Sequence, residues 1–242
     1  MKIALYNIEY CSGLDGSIKQ YLFKFWRYLW LSNVILKKIC RFLNTLKADV
    51  VLLVEVDGGS ARNGFKSQTE EISDKINLPF YHSECKYHPE SLLSKLPFLG
   101  NNHNSILSKK KGEIKSHYLK SGTKKLVQEY ITGGISIFMA HLSLSKKVRS
   151  KQLKEISAIL KKCKNSYIIC GDFNVFRGTE EVAEFMKKNK LHLAETNATF
   201  PSVDPIKQLD LIMAHKSIKF KSAKVGTVKY SDHLPVVVEV VR

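Results

Sequence analysis

Short apolar runs recur along the chain and are separated by polar turns. Residues 35–46 and 148–160 repeat apolar positions every three or four residues, which is typical of helices with one buried face. Strands and helices mixed without strict alternation predict an α/β fold in which helices cover two packed sheets. The runs with the length and composition of β-strands are Ile3–Ile8, Val50–Val56, Ser105–Ser108, Ile135–His141, Tyr167–Gly171, Leu209–Ala214 and Leu234–Val241.

One stretch breaks this pattern, between the first strand and the first of these helices. Residues 20–31 hold both tryptophans of the chain, with basic residues between the aromatic ones. No linker divides the sequence, so we expect a single domain over 1–242 with an aromatic-basic insertion at about 11–33. The segment Tyr21–Leu31 suits a peripheral membrane contact, stacking on nucleic acid, or packing on the protein itself or on another copy.

The charge balance adds a preference for anionic partners. The 242 residues include 39 Lys and Arg against 22 Asp and Glu, a formal net charge of +17. A field of that sign attracts nucleic acid, anionic lipid surfaces and phosphorylated small molecules. The plainer alternative is that lysine covers solvated faces.

Cysteine usage and the N-terminus both indicate a reducing compartment. The five cysteines are an odd number without a Cys-x-x-Cys pair, which argues against a disulfide framework, a zinc knuckle and a disulfide-linked partner. The first residues lack the charged start and apolar core of a secretory signal, and no apolar run reaches the ~20 residues that span a bilayer. We expect a cytoplasmic protein, with secretion independent of a cleaved signal as the open alternative.

Metal-binding residue types stand at the ends of the apolar runs. Carboxylates are costly to bury unless they are paired or bound to a cation. Several of them converging at one end of a sheet pair therefore indicate a cation site, and oxygen-rich ligation favours Mg²⁺ or Mn²⁺ over zinc. The residues concerned are Asn7, Glu9, Glu55, His141, Asp172, Asn174, Asp210, Asp232 and His233.

Eight short motifs follow one another along nearly the whole chain. They are Leu-Tyr-Asn-Ile (5–8), Leu-Leu-Val-Glu-Val (52–56), Asn-Ser-Ile-Leu-Ser (104–108), Ala-His-Leu-Ser (140–143), Gly-Asp-Phe-Asn (171–174), Thr-Phe-Pro-Ser (199–202), Leu-Asp-Leu-Ile (209–212) and Ser-Asp-His-Leu-Pro (231–235). In this order the motifs resemble the endonuclease/exonuclease/phosphatase superfamily. The resemblance implies a four-layer αββα sandwich of two mixed β-sheets flanked by helices, with the active site at one end of the sheets.

The resemblance also implies the residues that hold the metal and the attacking water. Glu55 is expected to be the principal ligand of Mg²⁺, or of Mn²⁺, assisted by Asn7 and Asp232 through direct or water contacts. Asp172 and Asn174 match the pair that positions the attacking water and a phosphate oxygen. The carboxylate at 232 is also expected to orient the adjacent histidine.

Two histidines match those that handle protons and phosphate charge in the superfamily. His233 matches the base or phosphate-binding histidine, and His141 matches the second one, with Asp210 as its carboxylate partner. Asn104 and Arg177 are expected to contact substrate, although the motif around Asn104 lacks the glycine of the superfamily pattern. A phosphodiester is anionic and repels hydroxide, so a metal and an imidazolium meet the first chemical demand, and histidine can serve as acid or base near neutral pH.

The histidine at 141 indicates the branch of the superfamily. Abasic-site endonucleases carry Tyr in this region, whereas the deoxyribonuclease, sphingomyelinase and inositol-polyphosphate-phosphatase branches carry His. We favour a nuclease acting on DNA or RNA. The alternatives are a phosphodiesterase or phosphatase acting on phospholipid, sphingomyelin or phosphoinositide headgroups, and a catalytically inactive polyanion-binding module, which the intact set of site residues disfavours. Four basic residues either hold substrate phosphates or solvate loops, namely Arg62, Lys124, Lys125 and Arg177.

Overall fold

The computed structural model describes residues 1–31 and 33–241; residue 32, inside the aromatic-basic insertion, and residue 242 lie outside the described residues. The strands are β1 Lys2–Asn7, β2 Val50–Asp57, β3 Phe80–Cys85, β4 Asn102–Ser108, β5 Glu113–Tyr118, β6 Leu126–Thr132, β7 Ile135–His141, β8 Ser166–Asp172, β9 Leu191–Leu193, β10 Asp210–His215, β11 Lys219–Val225 and β12 Val236–Val241. The helices are α1 Ile18–Phe23, α2 Asn33–Leu46, α3 Gln68–Ile76, α4 Leu92–Lys95, α5 Lys146–Leu160 and α6 Ala183–Lys188.

The strands form two mixed sheets of six. The first has the order β11-β12-β1-β2-β4-β3 and the second the order β5-β6-β7-β8-β10-β9. Within them β1 and β2 are parallel, as are β7 and β8, and the remaining neighbours are antiparallel. A parallel pair in each sheet brings two strand ends together at the same edge, which is where polar side chains can meet.

Three apolar layers hold the sheets and helices together. Strand β1 shows how the sequence builds them, because Ile3 and Leu5 point into the core between the sheets, whereas Ala4 and Tyr6 pack under α2 and α3. Being buried on both faces, such a strand reads as a continuous apolar run and not as an alternating one. On the far side, α5 and α6 cover the second sheet with residues such as Ile156. The expected four-layer α/β sandwich is confirmed.

The sequence patterns identified the central strands and missed the outer ones. All four edge strands, β3, β5, β9 and β11, fall outside the apolar runs, and so does β6. An edge strand such as Glu113–Tyr118 has the burial pattern of a partly solvated segment, so it carries polar residues that mask its strand character. No helix of the described residues is long and apolar enough to cross a bilayer.

Candidate active site

The polar ends of five strands meet at one end of the sandwich. β1 ends at Asn7 beside the end of β2, and the parallel register of β7 and β8 pairs His141 with Asp172. β10 runs antiparallel to β8 and begins with Asp210, which is the register partner of the same Asp172. Glu55 of the first sheet lies 3.9 Å from His141 of the second, measured from Oε1 to Nδ1. The two sheets therefore contribute to one site.

A β-bulge aims Glu55 into this site. The pairing of β2 with β4 shifts register between Leu53 and Val56, so two residues of β2 face Asn104 alone. Glu55 adopts a left-handed backbone with φ 57°, and the Asn104 side-chain oxygen accepts a hydrogen bond from its N–H at 3.3 Å. Bulges are used in this way to redirect a side chain. Asn104, expected to contact substrate, is buried and supports the bulge.

Asp172 is the centre of the hydrogen-bond network. Its Oδ2 accepts a hydrogen bond from Asn7 Nδ2 at 3.2 Å and lies 3.3 Å from His141 Nε2. Its Oδ1 accepts from the backbone N–H of Asn174 at 3.0 Å, and the Asn174 side chain donates to the carbonyl of Leu142 at 2.9 Å. These contacts fix the Gly-Asp-Phe-Asn turn between the two sheets.

His233 is oriented by Asp210 and not by its neighbour in sequence. Its Nδ1 lies 2.7 Å from Asp210 Oδ2, whereas its Nε2 is 4.0 Å from Asp232 Oδ2. The expected pairs, Asp232 with His233 and Asp210 with His141, are both wrong in this respect. The reason is geometric, because β10 carries Asp210 beneath the imidazole, and Thr199 Oγ1 donates to the same oxygen at 2.6 Å.

The two histidines of the site differ in protonation state. Burial, together with repulsion from Lys124 and Lys86, lowers the pKa of His141 well below its ordinary value, so His141 is neutral near pH 7. Burial also opposes charge on His233, but the carboxylates of Asp210 and Asp232 outweigh it and raise its pKa well above the ordinary value. His233 is therefore an imidazolium, held close to Asp172 Oδ2 at 3.9 Å.

The carboxylates of the site are only partly neutralised by the protein. Burial raises the pKa of Glu9 to about 8, and repulsion from Asp232 and Glu55 acts in the same direction. Burial likewise raises the pKa of Asp172 to about 6, with repulsion from Asp210 and Glu55 opposing the nearby imidazolium. Acids that resist ionisation because they are buried, with other acids close by, mark a place where an added cation is favourable.

The donor set fits a hard divalent cation. Among the described residues, one oxygen of Glu55 (Oε2) and one of Asp210 (Oδ1) have no hydrogen-bond partner, and the Asp210 atom is fully buried. No cluster of three His, Cys, Asp or Glu in the described chain is arranged as a ready-made metal cage. Mg²⁺ is commonly held by one or two carboxylates, with water and substrate oxygens completing its shell, so the free carboxylate oxygens fit the expected ion.

Within the described part of the chain, the two arginines considered for substrate phosphates form no hydrogen bond or ion pair with the other expected site residues. Arg62 Nε lies 2.6 Å from Asp57 Oδ2 in a buried ion pair, and its guanidinium stacks 4.3 Å from the centre of the Tyr10 ring. Arg177 is exposed, and its backbone N–H donates to Glu181. Among the described residues no hydrogen bond or ion pair joins its side chain to the site. Nine of the ten expected site residues thus come together, and Arg177 does not.

Two lysines belong to the site: Lys86, which the sequence did not indicate, and Lys124, which it offered as one of four candidates for substrate phosphates. Lys86, in the loop after β3, donates to Glu55 Oε1 at 3.0 Å and to the Tyr10 hydroxyl at 2.6 Å. Lys124, just before β6, contacts Nε2 of His141. Neither lysine stands in a metal-type motif, and lysine is frequent throughout this chain, so the sequence offered no signal for Lys86 and only a general one for Lys124.

The aromatic-basic insertion borders the site. The hydroxyl of Tyr28 donates to the Glu9 carboxylate, and the carbonyl of Asp15 accepts a hydrogen bond from the N–H of Val203 at 3.2 Å. Other side chains of the insertion point outwards, with Phe23 70% and Trp30 73% exposed. One part of the segment therefore packs on the protein, as one of the three alternatives expected, while another part presents an apolar surface beside the active site.

Comparison with solved structures shows the same fold over the whole chain. An endonuclease/exonuclease/phosphatase from Beutenbergia cavernae superimposes with a TM-score of 0.73 at 16% identity, over 99% of this chain and 71% of that one. Beta toxin from Staphylococcus aureus gives 0.70 at 18% identity over 99% of both chains. The Bacteroides thetaiotaomicron mannosyl-6-phosphatase Bt3783 gives 0.71 at 16% identity over 100% of both chains. At sequence identities this low, structural similarity establishes only the fold.

Sequence comparison establishes the family. Comparison with curated proteins gives no match. The model of the endonuclease/exonuclease/phosphatase family matches residues 31–233, which contain all the expected site residues except Asn7. The chain therefore belongs to the endonuclease/exonuclease/phosphatase family, whose members are hydrolases acting on phosphate esters.

Proposed function

We propose that the chain is a Mg²⁺-dependent phosphodiesterase that cleaves nucleic acid, either DNA or RNA. The observation that carries this proposal is the meeting of nine expected site residues at one end of the two sheets, among them Glu55, His141 and Asp172. The net charge of +17 adds attraction for a polyanionic substrate. The inactive-module alternative is disfavoured because a binding surface needs neither the strained Glu55 backbone nor the paired Asp210 and His233.

His233 is assigned the positive charge that faces the phosphate. Asp210 fixes its Nδ1, so that Nε2 is left to face the substrate. An imidazolium in this position offsets the charge that builds up on the phosphate oxygens and can pass a proton to the leaving oxygen. His141 is neutral, so its role is to accept and donate hydrogen bonds and not to supply charge.

We assign to Asp172 the role of accepting a proton from the attacking water. Its pKa of about 6 is close to working pH, where a carboxylate accepts a proton most effectively while remaining largely ionised. The Asn7 side chain and the Asn174 backbone hold both of its oxygens, which fixes the direction in which it can accept. Held geometry of this kind lowers the entropic part of the barrier.

We assign to Glu55, Asn7 and Asp232 the role of binding the metal ion. When bound, Mg²⁺ or Mn²⁺ supplies charge neutralisation and polarises a phosphate oxygen. Lys86 already offsets one charge on Glu55 at 3.0 Å, which lowers the pKa of Glu55 to about 2 despite burial and keeps the carboxylate ionised for the cation.

The test uses purified protein with plasmid DNA and single-stranded RNA in MgCl₂, in MnCl₂ and in EDTA. Cleavage is expected with either metal and not in EDTA. His233→Ala should abolish it, whereas His215→Ala, at the opposite end of β10, should not. Cleavage that survives EDTA or the His233 substitution would contradict the assignment, and binding without any cleavage would favour the inactive module.

A second function is favoured by the distribution of exposed apolar side chains. Among the described residues, all but Phe80, Tyr81 and Val241 of the exposed large apolar side chains lie on segments at the active-site end. They include Trp30 at 73% and Phe65 at 79% exposed. Such a rim around a phosphoesterase site suits a phosphodiester in a lipid headgroup, reached at a membrane surface.

This alternative is tested with sphingomyelin, phosphatidylserine and phosphoinositide vesicles. Headgroup release with DNA and RNA left intact would reverse the order of the two functions. In that event a Phe23→Ser/Trp30→Ser double variant should lose turnover of vesicles and keep turnover of soluble bis(p-nitrophenyl) phosphate. Tyr81→Ser, on the opposite end of the first sheet, serves as the control. Equal activity of both variants on vesicles would contradict a role for the apolar rim.

A further inference from the structure

Two lysine ammonium groups lie within the active site, that of Lys86 against Glu55 and that of Lys124 against His141. Lys86 is almost fully buried and bound to Glu55 and Tyr10. Its backbone carbonyl also accepts hydrogen bonds from the N–H groups of Lys125 at 2.9 Å and Leu126 at 3.3 Å. Lys86 therefore holds the segment that precedes β6 against the site, and its own charge is matched by a carboxylate.

Lys124 differs from Lys86 because its charge has no such match. Its ammonium contacts the neutral imidazole of His141, and among the described residues no carboxylate oxygen lies within the 4.0 Å of an ion pair. The segment is anchored behind it, since Gln152 donates to the carbonyl of Lys124 at 2.7 Å. A cation held in a site without an anionic partner is unfavourable. An anion bound next to the Lys124 ammonium would therefore stabilise this arrangement.

We propose that Lys124 binds a phosphate oxygen of the substrate, while the main-chain carbonyl of Lys86 holds the backbone segment that carries Lys124. The inference rests on the proposed function, because the anion is taken to be the phosphate that is cleaved. An ammonium is a compact donor that recognises phosphate as a point charge. Lys124 precedes β6 of the second sheet and His233 precedes β12 of the first, so that each sheet would contribute one cation to the phosphate.

The other basic residues near the site are less suited to this role. Arg62 is committed to Asp57 and Asn102, and the side chain of Lys125 makes no hydrogen bond or ion pair with the described site residues. Burial and the nearby Lys86 lower the pKa of Lys124 to about 8, and the more distant carboxylates of the site only partly offset this. That direction agrees with an ammonium for which the protein supplies too little negative charge.

The experiment measures binding of inorganic phosphate to the whole protein in EDTA, by calorimetry and by the rise in melting temperature. Wild type should bind, and Lys124→Met should bind at least about 10-fold more weakly, because a desolvated charge pair is lost. Lys125→Met is the matched control and should bind within about 2-fold of wild type. Equal binding by the Lys124 and Lys125 variants, or no binding by wild type, would overturn the proposal.

Stability without phosphate separates a substrate ligand from a structural lysine. Lys124→Met should melt at the same temperature as wild type or higher, because it removes a charge that lacks a partner. Lys86→Met should melt lower, because it leaves Glu55 without its ammonium. If Lys124→Met melts as low as Lys86→Met, Lys124 is structural and the proposal fails.

Kinetic measurements test the role of Lys124 separately from the proposed phosphodiesterase activity. With bis(p-nitrophenyl) phosphate and Mg²⁺, Lys124→Met should lower kcat/KM at least about 10-fold, and Lys124→Arg should recover part of it. Substrate cleavage that is unaffected in Lys124→Met overturns the role of Lys124 and leaves the phosphodiesterase standing. Phosphate binding that depends on Lys124, in a protein that cleaves neither nucleic acid nor lipid, supports the subsite and contradicts the proposed function.

Discussion

Gly171 lies in β8, where the lack of a side chain lets β8 approach β7 closely next to the active site. Its backbone has φ 144°, a conformation that residues other than glycine rarely adopt. A Cβ at this position would lie 1.8 Å from the backbone oxygen of Ala140 and 2.8 Å from its carbon. Gly171 and Ala140 are register partners, and the next pair along is Asp172 with His141. We therefore expect Gly171→Ala to damage both stability and the site.

The size of the effect follows from two contributions. The unfavourable backbone conformation costs about 1–3 kcal/mol, and forcing a methyl group against backbone that must move costs a further 1–3 kcal/mol or so. At roughly 2–4 °C per kcal/mol for a domain of this size, the melting temperature should fall by about 4–24 °C. Displacement of Asp172 from His141 by about 1 Å should lower the cleavage rate on the order of 100-fold.

The matched control is Gly133→Ala. Gly133 also has a positive φ, 54°, but no atom lies within 4 Å of the Cβ that would be added, and it lies in the turn between β6 and β7 at the other end of the sheet. It should lose only about 1–2 kcal/mol and keep full activity. Calorimetric melting and plasmid cleavage measure both variants. A Gly171→Ala protein that melts within about 2 °C of the control and cleaves normally would refute the reasoning.

Three further predictions concern other parts of the molecule. Glu181→Gln leaves the buried guanidinium of Arg149 without its carboxylate and should lower the free energy of unfolding by about 3–5 kcal/mol, measured by urea denaturation. Asp210→Asn removes a charge that raises the pKa of His233, so NMR titration should show a lower pKa and activity should fail first on the alkaline side. Burial would raise the pKa of Glu84, but hydrogen bonds from three side chains lower it to about 2. Its stabilising contribution is therefore complete above its unfolded pKa near 4.5 and lost as the pH falls towards 2, and Glu84→Gln should make acid unfolding less steep over that range.

The sequence by itself determined the family, the layers and most of the residues of the site. Apolar runs of the central strands are continuous because both faces are buried, so these strands can be recognised from a single sequence. The order of the motifs was enough to predict that Asn7, Glu55, Asp172 and His233 meet, because each lies at or near the end of a central strand. Edge strands such as β5 escaped because solvent permits polar residues on them.

Only the tertiary structure decided how the site residues are connected. The left-handed bulge at Glu55 depends on Asn104, 49 positions away, and the pairing of Asp210 with His233 spans 23 positions. Lys86 reaches the site from a loop without any recognisable motif. Partners of this kind are selected by strand register and by burial, which act between residues distant in sequence. Adjacency along the chain, which suggested Asp232 for His233, says little about which atoms meet once the two sheets have packed.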